Sequence, residues 1–160
     1  MGAGGAAVSG IVEFLRARYE ERRALALAAT AGPWTAEIEF YEPRKPLVQI
    51  STGSAPVSLP GYFGVRPVAE LEGNGDGGVL TAADAEYIAA NGPDAALADL
   101  DAKLAVLTVY EDAERSLAAT GTGTPPYDLM TGATNTMRHA LRFLAVPFAA
   151  HPDYDEKWRP

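Results

Sequence analysis

The stretch Trp34-Thr35-Ala36-Glu37-Ile38-Glu39-Phe40-Tyr41 decides how the chain is read, because apolar and polar side chains alternate along it without a break. A period of two puts Trp34, Ala36, Ile38 and Phe40 on one face and Thr35, Glu37, Glu39 and Tyr41 on the other, the pattern of a half-buried strand. Glu42 to Pro46 follows as a turn or bulge, and Leu47 to Thr52 as a second strand with Val48 and Ile50 inward. Gly53 to Gly64, rich in Gly, Ser and Pro, is expected to be an irregular loop. A third strand is expected near Val65 to Leu71, where Pro67 confines it to a sheet edge or a late start. The links are too short for crossover helices, so an antiparallel meander of about three strands is the simplest arrangement.

About four helices surround this sheet region. The first is expected from Ser9, its cap, with Ile11, Phe14, Leu15, Leu25, Ala26 and Ala29 on one face, stopping by Gly32-Pro33. Thr81 caps a short helix that carries Asp84 in its first turn and ends at Asn91-Gly92. Pro93 opens a long third helix with Leu97, Leu100, Leu104, Leu107 and Tyr110 on its stripe. After a Thr-Gly-Pro loop, Thr120 to Pro126, a fourth helix runs from about Asp128 to Val146, with Met130, Met137, Leu141, Leu144 and Phe148 inward and Pro147 ending or kinking it. In the closing segment, His151 to Pro160, Asp153 and Glu156 have capping-box spacing. The fold class expected is α+β, with residues 1–8 a flexible arm and 9–160 a single domain.

Composition narrows the function. In 160 residues, 48% are hydrophobic and the formal charge is −8, the profile of a folded acidic protein. That charge opposes phosphate neutralisation and anionic membrane binding, so neither nucleic acid nor membrane is an expected partner. A DNA mimic or a ligand for a basic protein surface stays open. Without cysteine there is no thiol catalysis, disulfide or cysteine-zinc site. No apolar run is long enough to span a bilayer, and the start has no basic region of a secretory signal, which points to the cytoplasm.

Candidate residues carry two readings each. Arg18 and Arg22 face the apolar side of the first helix; the simpler reading lays their stems on apolar surface with heads in water, the sharper one makes an anion site or interface. Trp34, at the mouth of the first strand, is a core residue or lines a pocket, to which Tyr41, Tyr62 and Phe63 could add aromatic surface. Glu72-x-Asn74-x-Asp76-Gly77 resembles half a calcium loop, yet its twelfth position is Ala83, so we read tight turns and no metal. His139 lies on a polar helix face beside Arg138 and Arg142. His151, near Asp153 and Tyr154, is a general base or metal ligand on one reading. On the other its ring hydrogen-bonds the backbone and locks the tail to the body, with Tyr154 and Trp158 as buried anchors; we take this second reading.

The string His151-Pro152-Asp153-Tyr154 followed by Trp158-Arg159-Pro160 resembles the C-terminal signature of an uncharacterised family of small actinobacterial and actinophage proteins, a domain of unknown function. Phe14 to Arg18, Ala29 to Trp34, Val68 to Leu71, Asp84 to Ala89 and Pro93 resemble its other segments, and a looser similarity reaches Ea22-like phage accessory proteins. The resemblance implies an accessory gene and no known activity. Histidines common in that family are replaced here by Tyr87 and Asn91, so any role they serve is lost.

The leading functional expectation is therefore a non-enzymatic accessory protein that binds a protein partner or forms a homo-oligomer, with no cofactor. The rivals are a small-ligand or nucleotide sponge using Arg18, Arg22, Trp34 and Tyr154, and a hydrolase or metal enzyme using His151 with Asp153.

Overall fold

The computed structural model describes residues 4–42, 45–52, 67–71 and 81–160, with side chains described over 10–36, 50–52 and 81–160. The expected calcium-like loop at 72–78, the loop at 53–64 with Tyr62 and Phe63, and the side chains of Ile38, Phe40, Tyr41 and Val48 lie outside these residues. The fold is α+β: helices α1 (Gly4–Ala28), α2 (Ala82–Ala90), α3 (Pro93–Ala119) and α4 (Pro125–Ala145), and strands β1 (Trp34–Glu42), β2 (Lys45–Thr52) and β3 (Pro67–Leu71). Two compact units divide it. One is Met1–Arg22 with Leu100–Pro160, the other Arg23–Asp99.

In the second unit the strands form an antiparallel sheet in the order β1-β2-β3. Ala36 pairs with Ile50 and Ile50 with Ala69, and Pro67 opens β3 at the sheet edge, where its missing N–H costs no ladder bond. Thr35 lies opposite Ser51, their hydroxyls 3.0 Å apart. Helix α2 covers the alternate face: Ile50 and Ala85 are buried together, with Trp34, Ala36 and Ile88 packed on them. Its start is a capping box. Asp84 N–H donates to the Thr81 hydroxyl oxygen (3.1 Å), and the Asp84 carboxylate accepts from the Thr81 hydroxyl and backbone N–H. The Thr81 hydroxyl, then its N–H, hold the Asp84 carboxyl below its ordinary range. At Gly92 a Cβ would sit 3.2 Å from both Trp34 Cγ and the Ala89 carbonyl, tighter than ordinary contact, so a larger residue would have to push the indole aside.

The first unit is helical. Ile11, Val12, Phe14, Leu15 and Tyr19 of α1, Leu100, Leu107 and Tyr110 of α3, and Leu141 and Ala145 of α4 form its buried core. On each helix the spacing of three, four and seven turns one stripe inward. Helix α1 begins at Gly4, ahead of Ser9, because Ala and Gly at 4–7 do not forbid helix. Its inward stripe also departs from expectation. Leu25 is 72% exposed, and the stripe runs instead through Arg18 and Tyr19. Helix α4 starts at Pro125 rather than Asp128. Two prolines occupy its first positions, where an amide has no helical partner, Thr124 accepts the Tyr127 N–H, and Gly123 at φ +76° makes the turn before it. It ends at Ala145, and Pro147 falls in a 3₁₀ turn, Val146–Phe148.

Two polar links tie α3 to its neighbours. Arg16 donates to both oxygens of Glu111 at 2.9 and 3.0 Å, a half-exposed pair worth about 0–1 kcal/mol. More deeply, the buried Tyr110 hydroxyl donates to Glu114 and accepts from Arg138 Nε at 3.2 Å, while Arg138 also donates to Glu114 at 3.1 Å. Burial, then the bond to Glu114, push the Tyr110 phenol up to about 12. The native state thus keeps a proton that the unfolded state releases near 10, so this contribution is whole below that pH and lost as pH rises toward 12.

Two outcomes follow from this packing. Leu15→Ala should cost about 3 kcal/mol in urea unfolding, and Leu25→Ala less than about 0.5 kcal/mol. Between pH 9 and 11 the wild type should lose stability relative to Tyr110→Phe by about 1 kcal/mol, read from paired urea titrations.

Candidate functional site

The residues singled out near the chain's closing segment converge on a single ridge of α1. Gly10, Phe14, Arg18 and Arg22 are four apart, so they lie in a row along the helix. The segment after α4 runs along that row in reverse. Arg22 holds its guanidinium 4.3 Å from the Phe148 ring centre, Arg18 meets His151, Phe14 meets Tyr154, and Trp158 passes over Gly10, where a Cβ would lie 3.6 Å from its ring.

Phe14 is the hub. Its ring centre lies 5.0 Å from Trp158, 5.7 Å from His151, 6.0 Å from Tyr154 and 6.1 Å from Phe148, mostly edge to face. Such pairs add about 0.5–1.5 kcal/mol each beyond the area they bury. Tyr154 and Trp158 are 5.7 Å apart and nearly perpendicular, so the anchors brace one another as well as the helix.

Arg18 brings charge into this apolar setting. Its side chain is only 10% exposed, which corrects the expectation that its head reaches water. A guanidinium stays charged at every relevant pH, and a buried cation is costly unless partnered. Glu21 supplies a carboxylate at 2.6 Å from the same helix. The other partners come from the tail: His151 Nδ1 at 2.8 Å, a close contact to His151 Nε2, and Asp153 Oδ2 at 4.0 Å. Asp153 N–H donates to His151 Nδ1 at 3.1 Å, making that nitrogen an acceptor. The backbone thus engages Nδ1, while Nε2 lies against a guanidinium that has no acceptor to offer it. Arg18 Nε and Trp158 Nε1 are buried donors without a partner.

The expected capping box in the closing segment needs correction. Asp153 does not cap the closing turn. Asp155 does, accepting from Lys157 N–H at 3.0 Å, because the 3₁₀ turn Glu156–Trp158 begins two residues later than that spacing requires. Glu156 pairs with Arg159 at 2.8 Å instead of closing a box, and that bond holds its carboxyl below the ordinary range. Trp34 belongs to the second unit, donating from Nε1 to the Thr30 carbonyl at 2.9 Å. Arg22 fits the simpler reading, exposed with its guanidinium on an aromatic face. His139 is exposed, edge-on to Phe143.

Sequence reasoning missed Phe14 as hub, Glu21 as counter-charge and Gly10 as the seat of the indole. The four-residue repeat of Gly10, Phe14, Arg18 and Arg22 was the available signal. Among the described residues no group of three or more His, Asp or Glu side chains could hold a metal ion, and no helix is long and apolar enough to cross a membrane. An open cleft of ≈ 280 Å³ lies near the α3–α4 turn, lined by Glu114, Leu117, Ala118, Thr120, Thr122 and Tyr127. None of the sequence-selected site residues borders it.

The chain belongs to DUF6221, a family of unknown function, which it matches over residues 8–160. No curated protein and no solved structure matches it. Tyr87 and Asn91, where the resemblance expected histidines, stand one turn apart on α2, with Tyr87 exposed and the Asn91 amide donating to the Tyr87 carbonyl.

His151→Ala should cost about 2 kcal/mol, because it leaves Arg18 short of a partner, and this cost should shrink by at least about 1 kcal/mol in an Arg18→Met background. Trp158→Ala should cost about 2–4 kcal/mol and expose the tail to limited proteolysis. Gly10→Ala should be neutral or stabilising by up to about 1 kcal/mol, since the new methyl meets the indole at ordinary contact distance.

Proposed function

We propose that this DUF6221 chain is a non-enzymatic accessory module that binds protein, with its aromatic-and-histidine tail serving as a clasp rather than a reaction centre. The observation that carries this reading is the engagement of His151. A general base must present a free ring nitrogen to its substrate, whereas Nδ1 accepts the Asp153 amide and Arg18 lies against both nitrogens. Asp153, the other half of the rival hydrolase pair, holds its carboxylate 3.9 Å from His151 Nδ1 and 4.0 Å from the guanidinium, beyond hydrogen-bond reach of either. Binding rather than catalysis also suits the apolar side chains left exposed on the helical unit, among them Val109 on α3 and Leu129 and Phe143 on α4.

The setting we propose is the cytoplasm of an actinobacterium or of a cell carrying its phage. The closing signature from His151 to Pro160 and the absence of cysteine support it. The nucleotide-sponge alternative has less support, since Arg18, Arg22 and Tyr154 are taken up by the clasp.

Cross-linking capture with the full chain as bait should recover a stoichiometric protein, either a second copy or another chain, and a His151→Gln variant that remains folded should capture equally. Two results would overturn the reading. One is a chain that captures no protein at any concentration. The other is a turnover, found across hydrolase and nucleotide panels, that His151→Gln abolishes while leaving the fold intact.

A further inference from the structure

Helix α4 is amphipathic in an unusual way, for the face opposite its core is uncharged rather than polar. Thr134, Leu141 and Ala145 are buried inward, with Met137 and Leu144 beside them. The outward face carries Leu129, Gly132, Ala133, Thr136, Ala140 and Phe143, all exposed. Leu129 is 76% and Phe143 56% exposed, and they stand two heptads apart. Between them the residues are small. At Gly132 a Cβ would meet nothing within 4 Å, so another backbone can approach closely there.

One edge of this face is charged, and its pattern selects the occupant. Asp128, Asn135 and Arg142 follow one another at heptad spacing, acid in the first turn and base in the last. Among the described residues neither the Asp128 carboxylate nor the Arg142 guanidinium has a hydrogen bond or ion pair. Antiparallel helices bring like edge against like edge. An antiparallel copy of α4, related by a two-fold axis near Asn135, therefore sets Asp128 against the partner's Arg142 at both ends. It also carries Phe143 toward the partner's Leu129 and stacks the small residues at the crossing. A parallel copy offers none of these charge pairs.

We propose that two copies of this chain associate antiparallel through the outer face of α4. This rests on the protein-binding reading and names its partner. A contact of one helix on one helix lies at the small end of specific interfaces, below about 1,200 Å² in total. Self-association should therefore be reversible, with a dissociation constant of about 10–100 μM, each tenfold being about 1.4 kcal/mol.

Sedimentation equilibrium of the full chain from about 5 to 500 μM tests it. The expected result is a monomer–dimer equilibrium that Phe143→Asp abolishes. Arg142→Asp should weaken it at least about tenfold, and Asp128→Arg combined with Arg142→Asp should restore it. All three positions are on the surface or its margin, so each variant should keep the wild-type melting temperature within a few degrees. Because the chain has no cysteine, Thr136→Cys with a short bis-maleimide gives a second readout: a cross-linked dimer is expected there and not from Glu13→Cys. A monomer at every concentration, or a dimer indifferent to both Phe143→Asp and Arg142→Asp, overturns the proposal. If the monomer still captures a different protein, the binding-module reading survives and only the self-pairing falls.

Discussion

A single buried guanidinium organises the helical unit. Arg18 occupies a place on α1 where the stripe calls for an apolar side chain, and its charge persists at any pH the protein meets. Glu21 meets part of the need from within the helix. The remainder comes from His151 and Asp153, far along the chain, so the segment after α4 must lie against α1 for the cation to be tolerated. The aromatic side chains then follow from position. Once His151 is fixed at Arg18, Phe148 falls at Arg22, Tyr154 at Phe14 and Trp158 at Gly10. Polar pairing sets the register and apolar burial supplies most of the free energy.

The two units answer to different rules. In residues 23–99 alternation along β1 and β2 turns one sheet face toward α2, and a capping box marks where that helix begins. Packing there is close enough that a side chain at Gly92 would press on the indole above it. In the helical unit the stripes are long and regular, so α3 and α4 are joined both by leucines and by the Tyr110–Glu114–Arg138 network. Its three members satisfy one another, which is what allows a phenol to be buried at the centre of the bundle.

Much of this was legible in the chain itself. Strict alternation from Trp34 identified β1, Pro67 identified an edge strand, and Thr81 with Asp84 identified the start of α2. Leu100, Leu107 and Leu141 announced the core. The failures share a cause, because each depended on which element would be nearby. Leu25 continues the period of Leu15 yet stays exposed, since periodicity says which residues share a face and not how far along the helix that face is covered. Arg18 was assigned to the surface on the habits of its residue type, and only a distant histidine and aspartate reverse that. Asp153 had the spacing of a cap, but the turn begins two residues later and takes Asp155 instead. Pro125 and Pro126 were read as loop because proline breaks helices, although the first turn is where it does no harm.

The helical unit is assembled from two stretches separated by the whole of the other one. Arg16 and Glu111 are 95 residues apart, and Arg18 and His151 are 133. Such separations raise the entropic cost of reaching the folding barrier. During synthesis α1 emerges long before α3, α4 and the closing segment that cover its apolar stripe. A message truncated before codon 151 would yield a product in which Glu21 alone is left to meet the charge of Arg18.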